Sequence, residues 1–205
     1  MDYRPLKILF ILFFMVLGWL GAVELAAQEP AASDAATPDM AAMMEAWMKG
    51  ATPGDEHATI AKSAGTWKAT VKAWTAPGAE PMVSEGIFKR QMMLGGRVIQ
   101  ETYESDMMGM PFNGYSLAGF DNVSGRWWTI WVDNMSTGPM MMWGDWDEKE
   151  KAHVYTGQTP DPVRGRLIEM KNVVRHVSDD EEKIEMYDMS SGEAVKTMEI
   201  VARRQ

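Results

Sequence analysis

From residue 65 onward the chain is a series of short runs rich in β-branched and aromatic residues, falling near 66–74, 82–91, 97–106, 112–121, 126–134, 139–147, 152–158, 165–177, 183–190 and 193–203. Turn signals separate them, among them Ala76-Pro77-Gly78, Leu94-Gly95-Gly96, Gly109-Met110-Pro111, Thr137-Gly138-Pro139, Asp161-Pro162 and Ser191-Gly192. Several runs alternate, as successive side chains of a strand must. In 126–134, Trp128, Ile130 and Val132 share one face and Trp127, Thr129, Trp131 and Asp133 the other. In 193–203, Met198, Ile200 and Ala202 oppose Thr197, Glu199 and Arg203. Short links with no helical period between strands predict sequential antiparallel pairing. Closing an all-β meander of about ten such strands into an up-and-down barrel removes two exposed edges; a two-sheet sandwich is the alternative.

Ahead of the strands the period changes. Met40, Met43, Met44, Trp47 and Met48 recur at helical spacing between Pro38-Asp39 and Gly50, predicting an amphipathic helix over 39–50. A second short helix is expected from Asp55 to Ser63. Residues 28–38, made of Ala, Pro, Ser and acid, form a flexible linker. Arg4 and Lys7 precede an apolar stretch from Ile8 to Val23, shorter than the ~20 residues that comfortably span a bilayer. Residues 1–27 are therefore expected to be a signal peptide cleaved after Ala27, making the protein periplasmic or secreted. Leu25 is a poor fit to such a site, and if the segment stays uncleaved it is the chain's only expected membrane contact. The barrel domain then covers 55–205.

Charge and composition narrow the function classes. The net charge of −9 survives removal of residues 1–27, which carry two acidic and two basic residues. An acidic chain without a basic stripe disfavours nucleic-acid binding. With no cysteine there is neither a disulfide framework nor a thiol nucleophile, and no Gly-x-Ser-x-Gly elbow is present. His57, His153 and His176 sit in three separate elements without metal-ligand spacing, so no metal and no cofactor is predicted. His176, in a long strand, is the one histidine placed to reach the interior as a haem ligand. Of the 20 methionines, the consecutive Met140, Met141 and Met142 must point to alternate sides of a strand and cannot share one Cu(I) ion; packing and adaptable cavity lining account for them better. Asp133 and Glu101 lie among apolar neighbours, where burial raises a carboxyl pKa toward acid–base use. Trp127, Trp128, Trp131, Trp143 and Trp146 concentrate on two neighbouring strands. The inward rings would wall a cavity, while the outward ones would cover the Met40–Met48 helix or meet a second copy of the chain.

The order of motifs carries a resemblance. Glu56-His57, Ala64-Gly65-Thr66-Trp67, Pro77-Gly78, Leu94-Gly95-Gly96-Arg97, Gly109-Met110-Pro111-Phe112-Asn113-Gly114, Asp121-Asn122, Trp131-Val132-Asp133-Asn134-Met135-Ser136-Thr137-Gly138 and Lys196-Thr197-Met198-Glu199-Ile200 together resemble the bacterial domain-of-unknown-function 1579 (DUF1579) family over about residues 55–204. That family looks like part of the calycin group of lipocalin-like barrels, so the resemblance implies a fold and leaves the role unassigned. It also implies a barrel closure in which a basic side chain of the last strand, Arg203 or Arg204, lies over Trp67 of the Gly65-Thr66-Trp67 start. By fold analogy the expected function is binding of a small apolar molecule or lipid. Tyr103, Tyr115, Trp131, Met142 and Met186 would line the site, and Glu101, Asp133 or Arg175 would orient the ligand. The alternatives are a small-molecule enzyme using Glu101 or Asp133 in the same cavity, and a structural or interaction module.

Overall fold

The computed structural model describes residues 39–107 and 109–205; the expected signal segment and linker lie outside them. Two helices, α1 (Met40–Ala51) and α2 (Asp55–Ala61), precede ten strands: β1 (Gly65–Ala73), β2 (Met82–Met93), β3 (Val98–Met107), β4 (Met110–Asp121), β5 (Arg126–Asp133), β6 (Met140–Asp147), β7 (Ala152–Asp161), β8 (Arg166–Ser178), β9 (Glu181–Asp188) and β10 (Val195–Arg204). Each strand pairs antiparallel with its chain neighbour, and β10 returns to β1, Trp67 opposite Arg204 and Ala73 opposite Met198. The sheet is thus a closed up-and-down barrel, and the sandwich alternative falls away.

Several strands outrun the apolar patterns that predicted them. β4 starts at Met110 and β7 runs through Pro160, because Pro111 pairs with Asp106 and Pro160 with Leu167 near strand ends, where a missing backbone donor is tolerated. Irregular register at Lys196/Met198 and at His176/Ser178 absorbs extra residues in β10 and β8.

Both helices attach at one end of the barrel. α2 packs on β3 and β4; its entry is fixed by Gly54 N donating to Nδ1 of the buried His57 at 3.1 Å. The carboxyl end of α1 is tied down by Asn122 Nδ2, which donates to the carbonyls of Gly50 and Thr52, and by Arg97 Nε, which donates to that of Ala51. The methionine and tryptophan face of α1 is not covered by the outward tryptophans as expected. No α1 residue is buried, and Trp47 is 70% exposed.

Candidate functional site

The closed end explains why β1 starts as it does. Gly65 has φ +131°, and a Cβ there would sit 2.8 Å from Arg204 Nη1, so glycine is needed both for the backbone and for the guanidinium beside it. Arg204 lies 4.3 Å from the centre of the Trp67 ring. It also donates to the carbonyls of Lys62 and Ala64, tying the last strand to the segment that follows α2. Trp67 Nε1 donates to the Ser63 carbonyl at 2.9 Å. Of the two expected closure arginines it is Arg204 that acts; Arg203 points outward and pairs with Glu181.

Beneath this seal lies a charged layer. Arg90 approaches the same Trp67 ring at 5.3 Å and the Phe88 ring at 5.2 Å. Its Nε donates to Glu101 Oε2 at 2.5 Å and its Nη2 to Glu182 Oε1 at 2.9 Å. The Arg90 side chain is 6% exposed and that of Glu182 5%. Glu182 Oε2 continues outward to His176 Nδ1 at 3.3 Å. Burial opposes the charge on Arg90, but the two carboxylates outweigh it and raise the guanidinium's pKa. Burial likewise raises the pKa of Glu101, Arg90 offsetting only part of the effect and the Glu182 charge adding to it.

Above this floor the barrel encloses a cavity of about 410 Å³, within the ordinary range for small-molecule sites. Phe88, Tyr103, Phe112 and Trp131 form an aromatic wall, with Tyr103 4.4 Å from Phe88 and 6.4 Å from Trp131 between ring centres. Met140, Met170, Met186 and Met198 line other parts of it. Two glycines make room for the rings: a Cβ at Gly86 would lie 2.3 Å from the Tyr103 hydroxyl, and one at Gly114 2.1 Å from the Trp131 ring. Among the described residues, two buried polar atoms have no hydrogen-bond partner, the Tyr103 hydroxyl and Asn172 Oδ1. Both residues line the cavity, from β3 and β8, five steps apart in the ring of ten strands and so on opposite walls.

Of the residues expected to line or orient a ligand, Glu101, Tyr103, Trp131, Asp133 and Met186 face this cavity. Asp133 is occupied, accepting from Trp131 Nε1 at 2.8 Å and from Met135 N at 2.9 Å, so it holds the indole in place and is no free acid or base. The other three expectations need correction. Tyr115 points out of the barrel and is 37% exposed, because its neighbours Gly114 and Ser116 take the inward parity. Arg175 also faces outward, donating to Glu150 and Glu185 on the outer surface. Met142 is 1% exposed and packed among Ile168, Met170 and Tyr155, off the wall of the main cavity. It borders instead a separate recess of about 440 Å³ that also touches Gly50, Asn122 and Trp143.

Three groups escaped the sequence reading: Arg90, Glu182 and Asn172. The available signal was parity. Arg90 shares a face with Gly86 and Phe88, and Glu182 with Ile184 and Met186, so each is a charge on an apolar alternation. Two histidines assigned to separate elements also meet, the rings of His153 and His176 lying 6.0 Å apart at the closed end. Burial, then the neighbouring His176, lowers the pKa of His153.

A family model described as a protein of unknown function, DUF1579, matches residues 52–204. The chain belongs to the DUF1579 family. The match starts just before α2 and ends at Arg204, so it takes in the helical plug, the barrel and the whole closure. No curated protein matches the chain. Among solved structures, a redesigned β-barrel is similar with a TM-score of 0.39 at 12% identity, over 75% of this chain and 99% of that one.

Proposed function

We propose that this DUF1579 protein is a binding protein that holds a small, largely apolar molecule inside its barrel. The cavity, bordered on opposite walls by two residues that each keep a buried polar atom unpartnered among the described residues, is the observation that carries the reading. A buried donor or acceptor left unsatisfied costs about 1–3 kcal/mol, a cost that a bound molecule supplying the missing partners offsets. The charged start and apolar run from Arg4 to Ala27 support export, and hence a ligand met outside the cytoplasm.

Uptake of a neutral naphthylamine dye tests the site. Saturable binding of one dye per chain is expected, with loss in Ala118→Trp and Met186→Trp, two substitutions that fill the cavity from different strands. Undiminished binding by both folded variants would place the dye elsewhere and sink the proposal.

A further inference from the structure

The charges that face the cavity are unbalanced. Among the described residues its lining carries three carboxylates, Glu101, Asp133 and Glu182, against one cation, Arg90. Asp133 is held at the far end by the Trp131 indole and the Met135 amide, which leaves two carboxylates sharing one guanidinium in the floor. Arg90 already serves two carboxylates. Its Nε and Nη2 are given to Glu101 and Glu182, and the rings of Trp67 and Phe88 lie beside it. The carboxylates are less fully used. Glu182 spends one oxygen on Arg90 and the other on His176, whereas Glu101 gives only Oε2 to Arg90, and its Oε1 has no hydrogen-bond partner among the described residues.

Further polar vacancies lie on the lining residues Asn172 and Tyr103. Asn172 Oδ1 is an acceptor and nothing else, so only an N–H or O–H donor satisfies it. The Tyr103 hydroxyl serves as donor or acceptor. The ring faces of Phe88, Tyr103 and Trp131 attract a cation, an effect worth more when the charge is desolvated. A carboxylate ligand would bring a third negative charge to a floor where one guanidinium already faces two carboxylates.

Building on the cavity-binding reading, we infer that the ligand is an amine: an apolar or aromatic body with a protonated, hydrogen-donating nitrogen directed at Glu101. The barrel thereby selects against fatty acids and other apolar anions.

Decylamine, decanol and decanoate share one chain and differ in the head group, so titrating each into the purified full-length chain at neutral pH and low salt, followed by tryptophan fluorescence and native mass spectrometry, separates the possibilities. Decylamine is expected to bind at least tenfold more tightly than decanoate, with decanol between them. Glu101→Gln is expected to bring the amine down to the level of the alcohol without weakening decanol, and Glu101→Asp to keep the preference. Decanoate binding as tightly as decylamine, or an amine preference unchanged in a folded Glu101→Gln, overturns the inference while leaving a binding cavity intact. Failure of all three probes to bind overturns the cavity reading as well. If Glu101→Gln does not fold, the ranking of the three probes on the unaltered protein decides.

Discussion

At the closed end of the barrel, the polar groups that hold Trp67 in place are paired. The indole N–H reaches the Ser63 carbonyl, and Arg204 reaches those of Lys62 and Ala64 while covering the ring. Further into the barrel, Tyr103 on β3 and Asn172 on β8 are also buried, yet their hydroxyl and carbonyl oxygen have no hydrogen-bond partner among the described residues. Both regions belong to one closed barrel, so the difference does not come from topology. One is packed and satisfied, which is how a region contributes stability; the other retains volume and polar vacancies, which are costs unless something fills them.

If that contrast is right, the two regions respond to mutation with opposite signs. The largest effect is expected from Trp67→Ala, which empties the centre of a cluster formed with Ala69, Val71, Phe88, Tyr103 and Ala202 and also removes the surface that Arg90 and Arg204 lie against. A loss of about 3–5 kcal/mol is expected for a buried tryptophan of this kind, read from the urea midpoint at unchanged slope. A loss below about 1 kcal/mol would mean that the seal is not where the fold is held.

Asn172→Leu is the converse test. It deletes the orphan acceptor and adds apolar volume facing the cavity, so a gain of about 1 kcal/mol is expected in the ligand-free protein, together with weaker dye uptake. A stability trade of this kind is common where function keeps a site imperfect. A large loss of stability instead would show that Asn172 supports the fold and is not reserved for a ligand.

The seal was legible in the sequence and the cavity only in part, for a physical reason. Gly65-Thr66-Trp67 and the terminal arginines declare themselves by residue type, and the strands by their turns. Which way a side chain points depends on parity, and in β4 the usual hydrophobic cue is inverted. Gly114, Ser116 and Ala118 turn inward, while Tyr115 and Leu117 turn out; small inward residues make space for the Trp131 ring that packs across Gly114. Tyr115 therefore looks like a lining residue and is not one. Arg90 and Glu182 deceive in the other direction. A charge in a strand ordinarily marks the solvent face, and only the pairing of β2 with β3 and the closure of the barrel bring these two together with Glu101.

The smallest expected effect separates the two ends by pH. At the end away from α2, Asp188 accepts from Ser190 through both amide and hydroxyl and from Arg164 Nη1, linking the β7–β8 turn to the β9–β10 turn. The Ser190 hydroxyl first, and then the Ser190 amide and Arg164 against some cost of burial, hold its pKa down at about 2, below the ordinary 3.8. A carboxylate with a depressed folded-state pKa contributes its full stabilisation above the unfolded value, and that contribution drains away as pH falls from about 4 through 2. The arginine, indole and backbone carbonyls that make the seal do not titrate in that window, and the Asp180 carboxylate 3.2 Å from Arg204 Nε is an exposed pair of small worth. Acidification is therefore expected to loosen the Asp188 rim before the seal. Hydrogen exchange should rise at the Ser190 amide between pH 4 and 2 while the amides of Trp67 and Arg204 stay protected relative to their intrinsic rates. Asp188→Asn should remove the pH step at Ser190 and leave the seal unchanged. Simultaneous opening of both ends at every pH would mean that the barrel unfolds as one unit, and that the difference between seal and rim lies only in packing.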